Sequence, residues 1–300
     1  MQSDREQVVA NKPHLRPISV DTYLAHIKRV RKQAGEELRE EPVLKYLDSL
    51  KPTIANQLIS AIVALKPAFS SHISRYRKVA QAQREANAQK STQKQRDNWT
   101  SVAAIKRATR LMRREINQFG FKEHNLVMAF LIWSIMLEHT MRNDLPSVKI
   151  AQTMSDVNNR ENFYVVSKGQ IWLNNFKTMK AFKRRELLPL MLQLSRPTNT
   201  LILKFLRQRG KKSQYLLSHP NGKPYSRSAF RNLMLNSSKK YLGVKVGSTM
   251  LRHIVLSEFL KGDPSLAERK RKARSMQQLS LETQMSYQLR DVDVPEGPKG

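Results

Sequence analysis

Apolar positions recur at helical spacing along most of the chain and alternate as in strands over one short stretch. Val20, Tyr23, Leu24, Ile27 and Val30 fall on one face of a helix over Ser19–Val30, with Pro17 ahead of it and Ser19 as N-cap. Ile54, Leu58, Ile59, Ile62 and Val63 mark a second helix over Thr53–Leu65, bracketed by Pro52 and Pro67, and Ile73 and Tyr76 a third over Ser70–Ala80. From Gln81 to Asn98 the only apolar residues are alanines. Nothing there can bury a large side chain, so the pattern predicts a solvated linker with a domain boundary near Ser91–Asn98.

The pattern restarts at Trp99 with two apolar helices, Val102–Phe119 and His124–His139. Short β-branched or aromatic runs follow at Asn162–Val166, Gln170–Phe176 and Leu187–Leu190, separated by Lys168-Gly169 and a basic turn. Helices are expected over Asn199–Arg209, Ser226–Tyr241, Thr249–Leu260, Ser265–Gln278 and Leu281–Leu289, with an extended piece at Tyr215–Ser218 and a turn at 220–222. The fold class is therefore mainly α with a small antiparallel β-sheet. A helical domain occupies 1–97 with a polar linker at about 81–98, a mixed α+β domain occupies 98–291, and a Pro-, Gly- and acid-rich tail at 292–300 is expected to be disordered.

Charge changes this picture. The chain has 54 Lys and Arg against 24 Asp and Glu, a net charge of +30 and a pI near 10.6, so a polyanion, by default nucleic acid, is the expected partner. A membrane is disfavoured, because no apolar run nears the roughly 20 residues that span a bilayer. The most apolar window, Leu126–Leu137, reads as a core helix. Cysteine is absent and the seven histidines are scattered, which points to no metal, no cofactor and an intracellular protein.

Four segments carry candidate chemistry. Arg142 in "HTMRNDL" ends an apolar helix, where an arginine also serves simply to balance the helix dipole. Lys177 and Lys180 in "FKTMK" sit in the expected hairpin, where lysines commonly guard a sheet edge. Arg252 and His253 in "TMLRHIVLSEFL" stand near a helix N-terminus suited to anions, although a solvated role is ordinary for one arginine among many. Tyr287 ends "ARSMQQLSLETQMSY", among polar neighbours that do not bury it. The order Arg, Lys, Arg-His, Tyr resembles the tyrosine recombinase (phage-integrase-like) family over nearly the whole chain. The last segment is similar to that family's "MGHS…TQ…Y" ending, and "PISVDTYLAHIKRV" to its helical core-binding domain. The style of "MRNDL", "KTMK" and "LRHI" is closest to members from large DNA viruses, virophages and related mobile elements.

The resemblance implies a core-binding domain followed by a catalytic domain that together clamp duplex DNA. It implies a metal-independent enzyme that cuts and rejoins DNA through a 3′-phosphotyrosyl link, integrating or excising mobile DNA as a DNA-dependent homo-oligomer. Tyr287 is then the nucleophile, Arg142 and Arg252 stabilise the phosphate, Lys177 (or Lys180) is the general acid, and His253 and Gln278 orient the phosphate. Two positions depart from the family pattern. Thr249 replaces a histidine common three residues before the second arginine, and Gln278 a His or Trp nine before the tyrosine. A recombinase-fold DNA binder without turnover and a type IB topoisomerase-like nicking-closing enzyme are the alternatives.

Overall fold

The computed structural model describes residues 3–87, 90–210 and 212–289. The expected tail at 292–300 lies outside them. The chain divides into two compact units, Met1–Ala88 and Gln89–Gly300.

The first unit is helical: α1 (Asp4–Asn11), α2 (Pro17–Ala34), α3 (Glu40–Asp48), α4 (Pro52–Leu65) and α5 (Ile73–Ala86). Pro52 starts α4, where the missing N–H is no loss. This helix buries Leu58, Ile59, Ile62 and Leu65 together with Ala55, Ala61 and Ala64, so most of its surface is apolar, and α1, α2, α3 and α5 pack about it. The first and third of these five helices were not foreseen: α1 is held by a Ser3/Glu6 capping box rather than by a hydrophobic stripe.

Residues 81–98 carry more structure than the expected linker. Helix α5 runs on to Ala86, and α6 (Gln93–Asp97) opens on a Thr92/Gln95 capping box. Gln81–Glu85 and Gln93–Asp97 side-chain bonds support these turns without any apolar face.

In the second unit α7 (Val102–Phe119) is capped by Ser101 and buries Ile105, Ala108, Met112 and Ile116. Gly120, at φ 71°, ends it. Helix α8 (His124–Glu138) is buried on nearly every side, against α7, α10 (Arg196–Arg209) and α11 (Arg227–Leu242). The sheet has the order β1 (Val148–Ala151), β2 (Asn162–Val165), β3 (Gln170–Leu173), β4 (Leu190–Gln193). Its β2–β3–β4 part is antiparallel as expected, but β1, an unforeseen strand, pairs parallel to β2 and makes the sheet mixed. Gly169, at φ 61°, turns the β2–β3 hairpin, and a Cβ there would stand 2.9 Å from the Asn199 side chain.

Two strand limits differ from expectation for clear reasons. Strand β3 stops at Leu173, not Phe176, because the Asn174 and Asn175 N–H groups donate to Asn162 Oδ1. Strand β4 starts at Leu190, not Leu187, because Pro189 has no N–H for the ladder. The 174–189 connection between them holds a short helix, α9 (Met179–Lys183). Helices α12 (Ser248–Lys261), α13 (Leu266–Ser275) and α14 (Leu281–Met285) complete the unit. The last two are shorter than expected. The chain turns out of α13 at Gln277, whose φ is 59°, and Tyr287 follows α14 in a turn closed by its N–H on Gln284 O at 3.0 Å.

Candidate active site

Helix α8 carries the chain to one edge of a cavity of about 310 Å³, lined by Arg142, Asp144, Lys177, Arg227, Arg252 and Tyr287 among others. Arg142 lies beyond the helix, not on its last turn. The helix closes at His139, and two tight contacts, Met141 N–H to His139 O and Asp144 N–H to Arg142 O, fold the loop that presents it. Its Nε is buried without a partner. Of the expected lysines, Lys177 lines the cavity, whereas Lys180 sits on α9 outside the lining.

Arg252 belongs to the core-facing stripe of α12 and is only 3% exposed, which overturns the solvated role expected of it alone. Nε donates to Thr140 O at 3.0 Å and one Nη2 proton to Met276 O. Nη1 reaches the Tyr287 hydroxyl at 3.4 Å, and the guanidinium lies 5.3 Å from the Tyr287 ring centre. Two N–H groups remain for a ligand. Burial pushes the Arg252 pKa down to about 10, so it remains a cation at neutral pH. Among the described residues none of Arg142, Lys177, Arg227 and Arg252 is closed off by a salt bridge. Asp144, the one carboxyl among the described residues that line the cavity, has its pKa raised by burial, against the opposing pull of Gln277 and the surrounding arginines.

His253 contacts the nucleophile candidate differently from expectation. Its Nδ1 lies 2.8 Å from Tyr287 O, and a carbonyl only accepts, so Nδ1 carries the proton. In the neutral ring Nε2 is then an acceptor, not a donor to phosphate. Burial holds the His253 pKa below its usual value, so the neutral ring prevails at pH 7. What His253 does here is fix the Tyr287 backbone and pack against its ring, tilted by 42° with the ring centres 5.0 Å apart. Gln278 is also displaced from its expected place. It is 3% exposed, neither amide atom has a hydrogen-bond partner among the described residues, and it does not line the cavity. Gln277 reaches the site instead, its Oε1 accepting from Arg142 N–H and its Nε2 donating to Asp144, both at 3.0 Å. Thr249, the other departure, lines the cavity beside Ser248 at the start of α12.

Arg227 and Gln277 were not singled out in the sequence. Arg227 did leave a signal: it is the first residue of α11, after the Ser226 N-cap, where a cation opposes the helix dipole and needs another reason to be present. Gln277 left none. A second cavity of about 430 Å³ shares Asn143, Ser248 and Thr249 with the first and adds Lys94, Arg231 and Lys245, with no acidic residue in its lining. Among the described residues no group of three or more His, Asp or Glu could hold a metal ion, and no helix is long and apolar enough to cross a membrane.

His253 shares its situation with His124 and His139: each gives one ring nitrogen to a backbone carbonyl, and burial lowers each pKa. The unfolded chain therefore binds these protons more tightly than the folded one. Stability should be intact above about pH 6.5 and fall as acid protonates the unfolded histidines below it. Thermal melts at pH 7.5 and 5.5 check this, with a midpoint lower by several degrees at pH 5.5; an unchanged or higher midpoint contradicts it.

No protein-family model matches the chain, and no curated protein matches it. Solved structures do. Residues 75–356 of lambda integrase, in a dimer bound to a COC′ core site, match at TM-score 0.58 and 13% identity, covering 99% of this chain and 98% of that one. Lambda integrase in a tetramer bound to a Holliday junction matches at TM-score 0.58 and 14% identity, over 98% and 78% of the two chains. The Tn1549 transposon integrase in complex with transposon right end DNA matches at TM-score 0.52 and 10% identity, over 95% and 94%. The chain thus has the integrase fold, a helical unit followed by a mainly helical unit with a small mixed sheet.

Proposed function

We propose that this protein is a tyrosine recombinase that cleaves and rejoins duplex DNA through Tyr287. The reading is carried by one observation: the Tyr287 hydroxyl lies 3.4 Å from Arg252 Nη1, in a cavity also lined by Arg142 and Lys177. A phosphodiester seated there meets three guanidiniums, a lysine and the start of α12, a setting that favours an anion and favours its more highly charged transition state further. The Tyr287 oxygen attacks phosphorus and releases its proton to solvent. The P–O5′ bond breaks, the 3′-phosphotyrosyl link forms, and the leaving 5′-oxygen takes a proton from Lys177. Attack by a 5′-hydroxyl from another strand runs these steps backwards, returns the proton to Lys177 and frees Tyr287. No external energy source is needed.

The adjoining Lys94, Arg231 and Lys245 cavity supports a path for the DNA backbone away from the cleavage point. Assembly as a DNA-dependent homo-oligomer, action inside a cell where its DNA lies, and kinship with members from large DNA viruses and virophages belong to the same proposal. The last rests on the motif style alone. The test is incubation of the protein with duplexes nicked just 3′ of the cleavage point, so that the short released piece bearing the 5′-hydroxyl diffuses away. A denaturation-resistant DNA–protein adduct with a free 5′-hydroxyl fragment is expected; DNA binding without any adduct favours a binder that has lost turnover.

The two lysines separate in the same assay. Lys177→Ala should slow adduct formation by about 100-fold or more, the usual worth of a general acid. A 5′-bridging sulfur, which leaves without a proton, should restore most of that rate. Lys180→Ala should behave as wild type. The reverse result would exchange their roles.

A further inference from the structure

Gln277 is wholly buried, yet its backbone stands at φ 59°, a region that glycine enters freely and other residues rarely do. A non-glycine residue persists in such a conformation where its surroundings over-determine it, and here the surroundings are the site itself. Oε1 accepts the Arg142 N–H and Nε2 donates to Asp144 Oδ2, each at 3.0 Å. The Gln277 carbonyl accepts the Thr178 hydroxyl at 3.0 Å, one residue past Lys177, and the preceding carbonyl, of Met276, accepts from Arg252. The loops that present Arg142 and Lys177, and the guanidinium of Arg252, are thus all fastened to two consecutive residues on the stretch of chain leading to Tyr287.

We propose that Gln277 is a positioning residue for this site, its carboxamide holding the Arg142 loop and the Asp144 carboxyl in the arrangement that receives phosphate. The proposal rests on the reaction proposed above. The residue type fits the task closely. The position needs one acceptor and one donor at the end of a side chain of this length. Glutamate supplies the donor only when protonated, asparagine is one methylene short, and an apolar residue leaves the Arg142 N–H and Asp144 both unmet. Asp144 in turn faces Arg142, Arg227 and Arg252. Its orientation sets how much of their charge is spent inside the protein and how much is left for a ligand.

The test is single-turnover adduct formation by full-length protein on the nicked duplex, followed from about pH 6 to 9, with DNA affinity and thermal midpoint measured alongside. Gln277→Gly suits the backbone and removes the carboxamide together with its two methylenes. It is expected to stay folded, with a midpoint lower by a few degrees because the Arg142 N–H and Asp144 lose their partner, and to keep DNA affinity while cleaving about 100-fold more slowly, the scale of a small misplacement of reacting groups. Gln277→Glu still accepts from Arg142 but brings a second carboxyl against Asp144. The pair must share a proton to coexist, so its rate should approach wild type at the acidic end and fall as pH rises. Wild type should lack that limb. A Gly variant that cleaves at the wild-type rate, or a Glu variant with a wild-type pH profile, overturns the proposal. So does loss of folding in both, which would make Gln277 a stability residue. Failure of the underlying reading looks different, because wild type itself then forms no adduct at any pH.

Discussion

Tyr287→Phe should abolish the DNA–protein adduct completely while leaving DNA affinity and folding nearly unchanged. The substitution removes one oxygen. The ring keeps its place against His253 and beneath the Arg252 guanidinium, and the Tyr287 carbonyl keeps its bond from His253 Nδ1. Among the described residues the hydroxyl makes one hydrogen bond, and it is long, at 3.4 Å, so its loss should cost no more than about 1 kcal/mol of stability. Its loss to the chemistry is total, since no other atom at that place can carry the phosphate. Adduct yield on nicked duplexes, beside a gel-shift titration and a melt, reads all three quantities. Residual adduct in the Phe variant would move the nucleophile elsewhere.

Arg252→Met tests whether a buried cation is present for the reaction or for the fold. A guanidinium at 3% exposure, with no salt bridge to a carboxylate among the described residues, costs several kcal/mol to desolvate. Two carbonyls, Thr140 O and Met276 O, recover part of that cost. Methionine fills a similar volume without the charge and leaves those carbonyls unmet, a penalty of about 1–3 kcal/mol each. The two effects oppose each other, so the thermal midpoint should shift by only a few degrees. Cleavage should fall by about 1,000-fold, because a preorganised donor to the transition-state phosphate is worth roughly 3–4 kcal/mol. Arg252→Lys keeps the charge but not the fork geometry and should recover little of the rate. Large destabilisation of the Met variant with cleavage preserved would make Arg252 structural.

How much of this was legible in the chain depended on whether the signal was local. The limits of α7 and α8 follow from apolar spacing and capping by Ser101, because both helices bury what their own sequences supply. The end of β3 did not follow, since it is decided by Asn162, on the neighbouring strand, taking the N–H groups of Asn174 and Asn175. Helix α6 was hidden because capping and glutamine bonds hold it without hydrophobic periodicity. The site divides the same way. Arg142, Lys177, Arg252 and Tyr287 stand in motifs whose order is visible along the sequence, and they line one cavity. His253 was visible as a residue but not in its protonation, which is fixed by the carbonyl it meets. Between Gln277 and Gln278 the family resemblance pointed to Gln278, nine residues before Tyr287. The backbone turn at φ 59° decides which of the two amides points at Asp144.

Everything proposed here requires the phenol and the arginines to act on one phosphate. Tandem mass spectrometry of the protease-digested adduct measures this directly. The nucleotide remnant should sit on the peptide containing Tyr287, attached through a 3′-phosphate. A remnant on another residue, or one linked through a 5′-phosphate, would contradict it.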